Sequence, residues 1–362
     1  MNFTKALLDW YDKNSRKLPW REQRDPYAIW LCEIIMQQTR IVQGLAYWER
    51  FMATFPTVEE LAEADEDQVL KLWEGLGYYS RARNLHTAAK QIVAMGKFPD
   101  RLEDIRALKG VGDYTAAAIA SIAFGLPVAV VDGNVYRVLA RYFGLTTPIG
   151  SNAAKKEFTA LAQSLLDENR PGDFNEAMMD FGAIQCTPQS PRCSDCPFAL
   201  NCHAKQEGLQ EQLPVKGKKT AIRERHLCYI YYRYEGQTAI HKRPAGDIWQ
   251  GLWEPFLIEQ TSHPTVQQPS QPSNDTTDTN TAGTNTTDTN TASANTTRGT
   301  LLGKDIRHQL THQSLYADFY LYECAEKPQL PPDYIWVKEE DLKQYGKPRL
   351  VERLLELLPQ GE

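Results

Sequence analysis

A chain of 362 residues is too long for a single hydrophobic core and predicts two domains. Hydrophobic residues make up 42% of the sequence, which excludes a chain that is disordered throughout. The net charge of −6 does not decide for or against nucleic acid, because the acidic excess lies beyond residue 225 and the preceding part is neutral.

The first two hundred residues are predicted to form helices separated by short turns, because apolar residues recur with helical spacing between Gly, Pro and Asn/Asp clusters. The longest uncharged run, residues 114–131, contains Gly125 and Pro127 and predicts a buried helix instead of a membrane span. Charged and apolar residues alternate irregularly at the N-terminus, which predicts no cleavable signal and a cytoplasmic protein. The predicted helices cover residues 27–51, 58–74, 82–95, 102–108, 114–124, 135–143, 153–167 and 176–184.

The pattern changes after a Lys-rich, Pro-containing stretch, and alternating residues then predict strands and one final helix. We therefore predict a first domain over 1–205, a linker over 206–224 and an α+β domain over 225–362. Residues 262–298 are almost entirely Thr, Asn, Ser, Pro, Gln and Asp, and they are predicted to be a disordered insert. The predicted strands cover residues 226–234, 238–242, 315–322 and 334–337, and the helix covers 348–358.

Glu33 is the first candidate for chemistry, since it lies in the apolar segment 30–36. A carboxylate in apolar surroundings has a raised pKa, which suits a general acid near neutral pH. The alternative is a structural role in which Glu33 pairs with a nearby arginine.

A second motif is the turn around Gly110 and Gly112, which precedes a helix that begins near Asp113. Glycines that expose backbone N–H groups beside a helix N-terminus bind phosphate, as in helix–hairpin–helix DNA binding. An ordinary turn between helices is the alternative. Asp132 follows some twenty residues later; an Asp before a helix is by default an N-cap, but this position favours a functional role.

Four of the seven cysteines form a tight cluster that predicts a metal centre in a reducing compartment. Structural zinc uses two close pairs of cysteines, whereas only one close pair exists here. The wider spacings therefore favour an iron–sulfur cluster, with zinc as the alternative. The other three cysteines stand among apolar neighbours and are predicted to be core residues. The clustered cysteines are Cys186, Cys193, Cys196 and Cys202.

Together these segments resemble the helix–hairpin–helix DNA glycosylases, and specifically the MutY-type adenine glycosylases. The resemblance covers nearly all of residues 1–225 and, more loosely, 226–362. It implies a mainly α glycosylase domain with an iron–sulfur cluster loop at 186–202, followed by an α+β Nudix-like domain. The segments that carry it are Leu18-Pro-Trp-Arg21, Glu33-x3-Gln-Gln-Thr39, Gly75-Leu-Gly-Tyr-Tyr-Ser80, Gly110-Val-Gly-x-Tyr-Thr115, Asp132-Gly-Asn134, Asn175-Glu-Ala-Met-Met179 and the cysteine cluster.

The resemblance implies an enzyme that binds double-stranded DNA as a monomer at the bacterial nucleoid. It would hydrolyse the N-glycosidic bond of a flipped-out adenine mispaired with 8-oxoguanine or guanine, leaving an abasic site. Glu33 would be the general acid, and Asp132 would stabilise the sugar cation electrostatically or trap it covalently. The cysteines would hold one four-iron four-sulfur cluster. Further implied site residues are Asn134 and Tyr114 for orientation, Trp20, Arg21 and Glu176 around the adenine, Gly110 and Gly112 on the DNA backbone, and Gln38, Thr39, Leu76 and Tyr78 at the opposite base.

Two departures from related patterns narrow the expected activity. Tyr114 stands where endonuclease III-like relatives place a lysine that forms a Schiff base, so we expect a monofunctional glycosylase. In the second domain, Thr311 and His312 are the implied contacts to 8-oxoguanine, and Leu310 replaces an aromatic residue. The Glu-rich metal box of catalytic Nudix hydrolases is absent from the sequence.

Three alternatives belong to other functional classes. A DNA-binding redox or scaffold protein is disfavoured because Glu33 and Asp132 are both present. A bifunctional lyase that acts on oxidised pyrimidines is disfavoured by Tyr114. A nucleotide-pool hydrolase is disfavoured by the missing metal box.

Overall fold

The computed structural model describes residues 2–217, 222–260 and 299–359. The chain divides into two compact units, Met1–Lys219 and Thr220–Glu362, and the division falls within the predicted linker 206–224. Leu213, also in that predicted linker, is buried against the core of the first unit. The predicted disordered insert, 262–298, lies outside the described residues.

The first unit is a set of helices, many of which begin at a side chain that caps the free N–H groups of the first turn. Asp25 caps α3 by accepting from the Ala28 N–H at 3.0 Å, and Ser151 caps α11 from the Ala154 N–H at 3.1 Å. The helices are α1 (Phe3–Asn14), α2 (Pro19–Gln23), α3 (Pro26–Met36), α4 (Ile41–Thr54), α5 (Val58–Glu63), α6 (Glu66–Leu72), α7 (Ser80–Met95), α8 (Leu102–Ala107), α9 (Asp113–Phe124), α10 (Gly133–Phe143), α11 (Asn152–Leu165), α12 (Pro171–Asp180) with a π-helical turn at Phe181–Gln185, and α13 (His203–Gln206).

Several helix predictions need correction. The predicted helix 27–51 is two helices, α3 and α4, which are separated at residues 37–40. The predicted helix 58–74 is also two, because Asp65 starts α6 with a capping box closed by Gln68. Helix α1 was not predicted, and α12 begins five residues before the predicted start at 176.

Helix α9 is the central element of the first unit. All eight of its residues from Thr115 to Ile122 are buried, and most are alanine or another small residue, which lets α3 and α12 pack closely against it. A neighbouring cluster of buried apolar side chains from α1, α10, α11 and α12 includes Leu7, Leu139, Phe158 and Phe174. These helices hold the loop before α9 and the loop before α10 in fixed positions.

The second unit is a mixed seven-stranded sheet with helix α14 (Arg349–Leu355) packed on it. Strand order is β3-β2-β1-β6-β5, with β4 paired to β1 and β7 to β2. The long β1 and β6 are parallel, and the other pairs are antiparallel. The strands are β1 (Arg223–Tyr234), β2 (Gln237–Lys242), β3 (Trp253–Glu254), β4 (Phe256–Gln260), β5 (Thr300–Gln309), β6 (Gln313–Glu323) and β7 (Tyr334–Lys338), and a 3-10 helix spans Glu339–Gln344.

The predicted fold class, a mainly α unit followed by an α+β unit, is confirmed. Strands β3, β4 and β5 and the 3-10 helix were not predicted. Strand β5 contains register shifts between Leu301 and Ile306, and these irregularities remove the alternation by which a strand is recognised.

Candidate active site

A cleft of about 900 Å³ opens on the first unit beside the N-terminus of α9. This volume is large enough for a nucleoside-sized group. Its walls come from α3, the turn before α9 and the loop before α10. Six of the predicted site residues line it: Glu33, Gln38, Gly110, Gly112, Tyr114 and Asp132.

Glu33 lies on α3 between the buried residues Cys32 and Ile34, and its own side chain is half-buried at the cleft. Burial raises its pKa to about 7, and the negative charges of Glu176 and Asp132 add to this effect. A hydrogen bond donated by the Tyr114 hydroxyl acts in the opposite direction. The carboxyl is therefore close to half protonated at neutral pH.

Asp132 fills the structural role expected by default and also lines the cleft. It is the N-cap of α10: its Oδ1 accepts from the backbone N–H groups of Asn134 at 2.9 Å and Val135 at 2.8 Å. Its Oδ2 accepts from the Asn134 side-chain amide at 2.8 Å, and Arg137 in turn donates to that amide's oxygen at 2.7 Å. These contacts fix the carboxylate in one orientation.

Tyr114 lies on the first turn of α9 and connects the two sides of the site. Its hydroxyl contacts the Met179 sulfur at 3.4 Å as well as the Glu33 carboxyl. Burial, followed by the charges of Glu33 and Asp132, raises its pKa well above the usual value. The side chain stays a neutral hydrogen-bond donor.

Behind Glu33 lies a buried cluster of charges that connects α1, α2 and α12. Arg21 pairs with Glu176 at 2.9 Å and with Asp180 at 2.8 Å. The Tyr11 hydroxyl donates to Glu176 at 2.6 Å, and Arg16 also binds Asp180. Burial raises the pKa of Glu176. For Asp180, burial has the same effect, but bonds from Arg21 and Arg16 outweigh it and lower the pKa.

This charge cluster changes the interpretation of the residues predicted around the adenine. Arg21 and Glu176 act on Glu33 through their charges, but they are not among the residues that line the cleft. Trp20 is 7% exposed and packs edge-on against Trp48. Arg21 forms its ion pairs with Glu176 and Asp180 of α12.

Sequence reasoning missed Tyr11, Arg16 and Asp180 as members of this cluster. Asp180 had a usable signal, because it follows Glu176 by four residues and therefore lies on the same face of α12. No sequence signal connected Tyr11 and Arg16 with the cluster, because their partners Glu176 and Asp180 follow more than 160 residues later in the sequence.

The two glycines of the predicted hairpin differ in whether the fold requires glycine at that position. Gly110 has φ of +78°, and a Cβ there would lie 2.6 Å from Asn84 Cβ, so both conformation and space demand glycine. Gly112 has φ of −92°, and a Cβ there would meet nothing within 4 Å. The fold therefore does not require glycine at 112, and the open space before this backbone is part of the cleft.

The remaining predicted contacts of the first unit lie on two turns. Gln38 and Tyr78 are exposed and have left-handed backbones, with φ of +57° and +49°. Thr39 is half-buried beside Gln38, and Leu76 is 8% exposed. Of these four residues only Gln38 lines the cleft.

The four clustered cysteines surround one small cavity together with aromatic and basic side chains. Burial raises the pKa of the Cys196 thiol to about 11, and the neighbouring Cys186, Cys202 and Cys193 add to this. Arg141 donates to the Thr187 and Pro188 carbonyls of the same loop. In the described part of the chain, no three Cys, His, Asp or Glu side chains converge as the ligands of a single ion do. Four thiols around a cavity suit a polynuclear cluster.

In the second unit, Thr311 and His312 are exposed in the turn between β5 and β6. Leu310 packs on the apolar cluster beneath α14, so this side chain supports the sheet. Two carboxylates of the second unit, Glu254 and Asp247, form ion pairs with arginines. Glu254 pairs with Arg243 at 2.7 Å, and Asp247 pairs with both Arg243 and Arg225 at 2.6 Å.

No helix in the described ranges is both long and apolar enough to cross a membrane. The run 114–131, considered above as a span, contains the buried α9.

Comparison with known proteins gives two family matches. Residues 31–164 match the HhH-GPD superfamily of base excision DNA repair proteins. Residues 227–357 match the NUDIX domain. The first match contains Glu33, Tyr114 and Asp132, and the second contains Thr311 and His312.

Curated relatives include adenine DNA glycosylases from several organisms. The chain is 45% identical over 237 residues to the adenine DNA glycosylase of Homo sapiens, covering 62% of this chain and 43% of the human protein. It is 37% identical over 290 residues to that of Arabidopsis thaliana, covering 69% of this chain and 46% of the plant protein. With that of Buchnera aphidicola from Acyrthosiphon pisum it shares 35% identity over 254 residues, covering 69% of this chain and 73% of the relative. The chain thus spans less than half of the first two relatives and most of the third.

Solved structures resemble the first unit. A thermostable thymine-DNA glycosylase aligns with a TM-score of 0.53 and 31% identity over 57% of this chain and 95% of its own. A trapped endonuclease III–DNA covalent intermediate aligns with a TM-score of 0.50 over 57% of this chain and 95% of its own. Its sequence identity is 20%, so this similarity concerns the fold alone.

Proposed function

The chain belongs to the adenine DNA glycosylases of the helix–hairpin–helix base-excision superfamily, and on that premise we propose that it removes adenine mispaired with 8-oxoguanine or guanine. The reaction is hydrolysis of the N-glycosidic bond in double-stranded DNA, and the product is an abasic site. The observation that carries the proposal is a single cleft that holds Glu33, with a pKa of about 7, together with Asp132 and Tyr114.

Glu33 supplies the proton that the leaving base requires. Adenine leaves poorly as an anion, so a ring nitrogen must be protonated as the bond to the sugar breaks. A carboxyl with a pKa near 7 retains a transferable proton at neutral pH, as general acid catalysis requires. The Tyr114 hydroxyl orients this carboxyl by donating to it.

Asp132 acts on the sugar that remains. Departure of the base leaves positive charge on the sugar ring, and a carboxylate fixed by three hydrogen bonds stabilises that charge without reorganising. Both electrostatic stabilisation and covalent capture are compatible with the two-carboxylate logic of glycoside hydrolysis. Water then completes the abasic site.

The cysteine loop fits an iron–sulfur cluster, and we propose that Cys186, Cys193, Cys196 and Cys202 hold one four-iron four-sulfur cluster. Support comes from four thiols that surround one cavity. When bound, the cluster supplies four metal–thiolate bonds that fix residues 186–202 in one conformation.

The protein is proposed to act as a monomer.

Recognition of the opposite base is assigned to two groups of residues. In the first unit, Gln38 and Tyr78 are exposed on their turns, and the less exposed Thr39 and Leu76 stand near them in the sequence. In the second unit, the exposed Thr311 and His312 offer a hydroxyl and an imidazole to the edge that distinguishes 8-oxoguanine from guanine. Trp20, Arg21 and Glu176 are proposed to act on the adenine from behind Glu33.

A labelled duplex with a central adenine opposite 8-oxoguanine tests the function. After incubation and treatment with alkali, we expect a strand break at the adenine. Duplexes with A opposite T, and with T opposite G, serve as controls; the second tests the activity named for the structural neighbour. Cleavage at T but not at A would refute the proposal.

Gly112→Ala tests the hairpin as a DNA contact. Because φ is ordinary and the Cβ position is open, the variant should fold and melt like the parent. A methyl group before the N-terminus of α9 would block close approach of a phosphate, so duplex affinity should fall roughly tenfold, the equivalent of one charge-assisted hydrogen bond. Gly125→Ala, at a left-handed position outside the cleft, is the control: it should lower the melting temperature and leave affinity unchanged. Unchanged duplex affinity in Gly112→Ala would reduce the motif to an ordinary turn.

Tyr114→Lys tests the monofunctional assignment. An amine at this position in the cleft would condense with the aldehyde of the opened abasic sugar, and borohydride would trap the covalent complex. The parent should give no trapped complex. Tyr136→Lys, at another tyrosine that lines the same cleft, is the matched control. Equal trapping by the parent would mean that another lysine acts and that the assignment is wrong.

A further inference from the structure

One buried guanidinium, that of Arg81, joins two turns of the first unit. Arg81 is 8% exposed, and its Nη1 donates to the carbonyls that end α3, those of Ile35 at 2.9 Å and Gln37 at 2.5 Å. Its Nη2 donates to the carbonyls of the second turn, Leu76 at 3.4 Å and Gly77 at 3.2 Å. A single side chain therefore connects segments some forty residues apart in the sequence.

Two of the carbonyls that Arg81 binds come directly before residues with left-handed backbone. Gln37 precedes Gln38, whose φ is +57°, and Gly77 precedes Tyr78, whose φ is +49°. Left-handed backbone is unfavourable for residues with a side chain and persists only where surrounding contacts hold it. Gln38 and Tyr78 are both exposed, and both are proposed above to probe the base opposite adenine.

The charge of Arg81 is stabilised by backbone carbonyl dipoles and by two aromatic rings. Its guanidinium lies 4.9 Å from the centre of the Trp73 ring and 5.7 Å from that of Tyr78. Among the described ion pairs none includes Arg81, so backbone carbonyls and the Thr39 hydroxyl take the place of a counterion. Burial lowers its pKa to about 10, which leaves it charged at neutral pH. A buried cation is costly, and its partners here are the two turns.

We propose that Arg81 is a positioning residue that holds both turns in one geometry and thereby sets the preference for 8-oxoguanine over guanine opposite adenine. The inference rests on the proposed function. Arg81 does not line the cleft or touch Glu33, Tyr114 or Asp132, so it acts through Gln38 and Tyr78. Chemistry at the adenine should therefore depend on Arg81 less than recognition of the opposite base does.

Arg81→Lys is the test, because lysine keeps the charge but lacks the planar fork that reaches both turns. Single-turnover rate constants are measured on duplexes with A opposite 8-oxoguanine and with A opposite guanine. We expect the ratio of the two to fall roughly tenfold, the equivalent of one lost charge-assisted hydrogen bond, with the A:G rate constant much less affected. Leu85→Ala, also buried on α7, should lower the melting temperature and leave the ratio unchanged.

A double-mutant cycle separates positioning from general destabilisation. Tyr78→Ala should lower the ratio by itself, and adding Arg81→Lys should then lower it by less than the product of the single effects. An unchanged ratio in Arg81→Lys, or losses that multiply in full, would overturn the inference. Absence of cleavage by the parent at both adenine mispairs would instead refute the proposed function.

Discussion

Replacing Glu33 with glutamine will lower the single-turnover rate of adenine release by at least ~100-fold, the lower range for loss of a general acid. The amide is nearly isosteric with the carboxyl and still accepts a hydrogen bond from Tyr114, but it has no transferable proton. Binding to a duplex with A opposite 8-oxoguanine should stay within threefold of the parent, about 0.7 kcal/mol. Glu103→Gln, on the exposed side of α8, is the matched control and should be fully active.

The pH dependence gives a second measure of the same residue. Since Glu33 has a pKa of about 7 and must be protonated to act, the rate should fall about tenfold per unit as pH rises above that value. Folding stability changes with pH in the same direction as the rate. The raised pKa of Glu33 contributes to the free energy of unfolding below pH 4.5, and this contribution is lost as pH rises through about 7. Glu33→Gln should therefore melt at a higher temperature than the parent at pH 8. A parent-like rate in this variant, with the alkaline limb intact, would assign the proton to another group.

Replacing Cys202 with serine will remove the iron and, with it, measurable binding to the mispaired duplex. The parent, purified anaerobically, should be brown and contain about four irons per chain. Cys202 is the N-cap of α13, a helix that contacts α10, so loss of this ligand should loosen α13 and its packing on α10. Iron content, melting temperature and duplex affinity are measured together.

Cys228→Ser is the control for this experiment, because Cys228 is a free, buried thiol that belongs to the sheet of the second unit. It should retain the iron and bind the duplex. A colourless parent that contains zinc and cleaves at full rate would show that the four thiols hold a different centre.

How far the sequence could be interpreted depended on whether a residue's partner is close in the chain. The turn at Gly110 and the cap at Asp132 are local features, and both were predicted from their neighbours. The raised pKa of Glu33 followed from the apolar residues on either side of it. What makes these three residues one site is the packing of α9 between α3 and α12, and this was expected only through the family resemblance.

One of the errors in the helix predictions has the same origin. Apolar spacing continues from α3 into α4, so one helix was predicted over 27–51. Where the chain breaks, Arg81 binds the carbonyls at the end of α3, and a partner more than forty residues away leaves no local signal. The break before α6 was different, since Asp65 and Gln68 form a capping box that is visible in the sequence.

The charge cluster behind Glu33 also determines when this site can form during synthesis. Tyr11 and Arg16 leave the ribosome first, but their partners Glu176 and Asp180 follow 165 and 164 residues later. At ribosomal speeds of about 5–20 residues per second, this interval is roughly 10–30 s. During that time Arg16 and Arg21 lack both carboxylates of α12. The acid group of the active site therefore acquires its surroundings late, after most of the helical unit has been made.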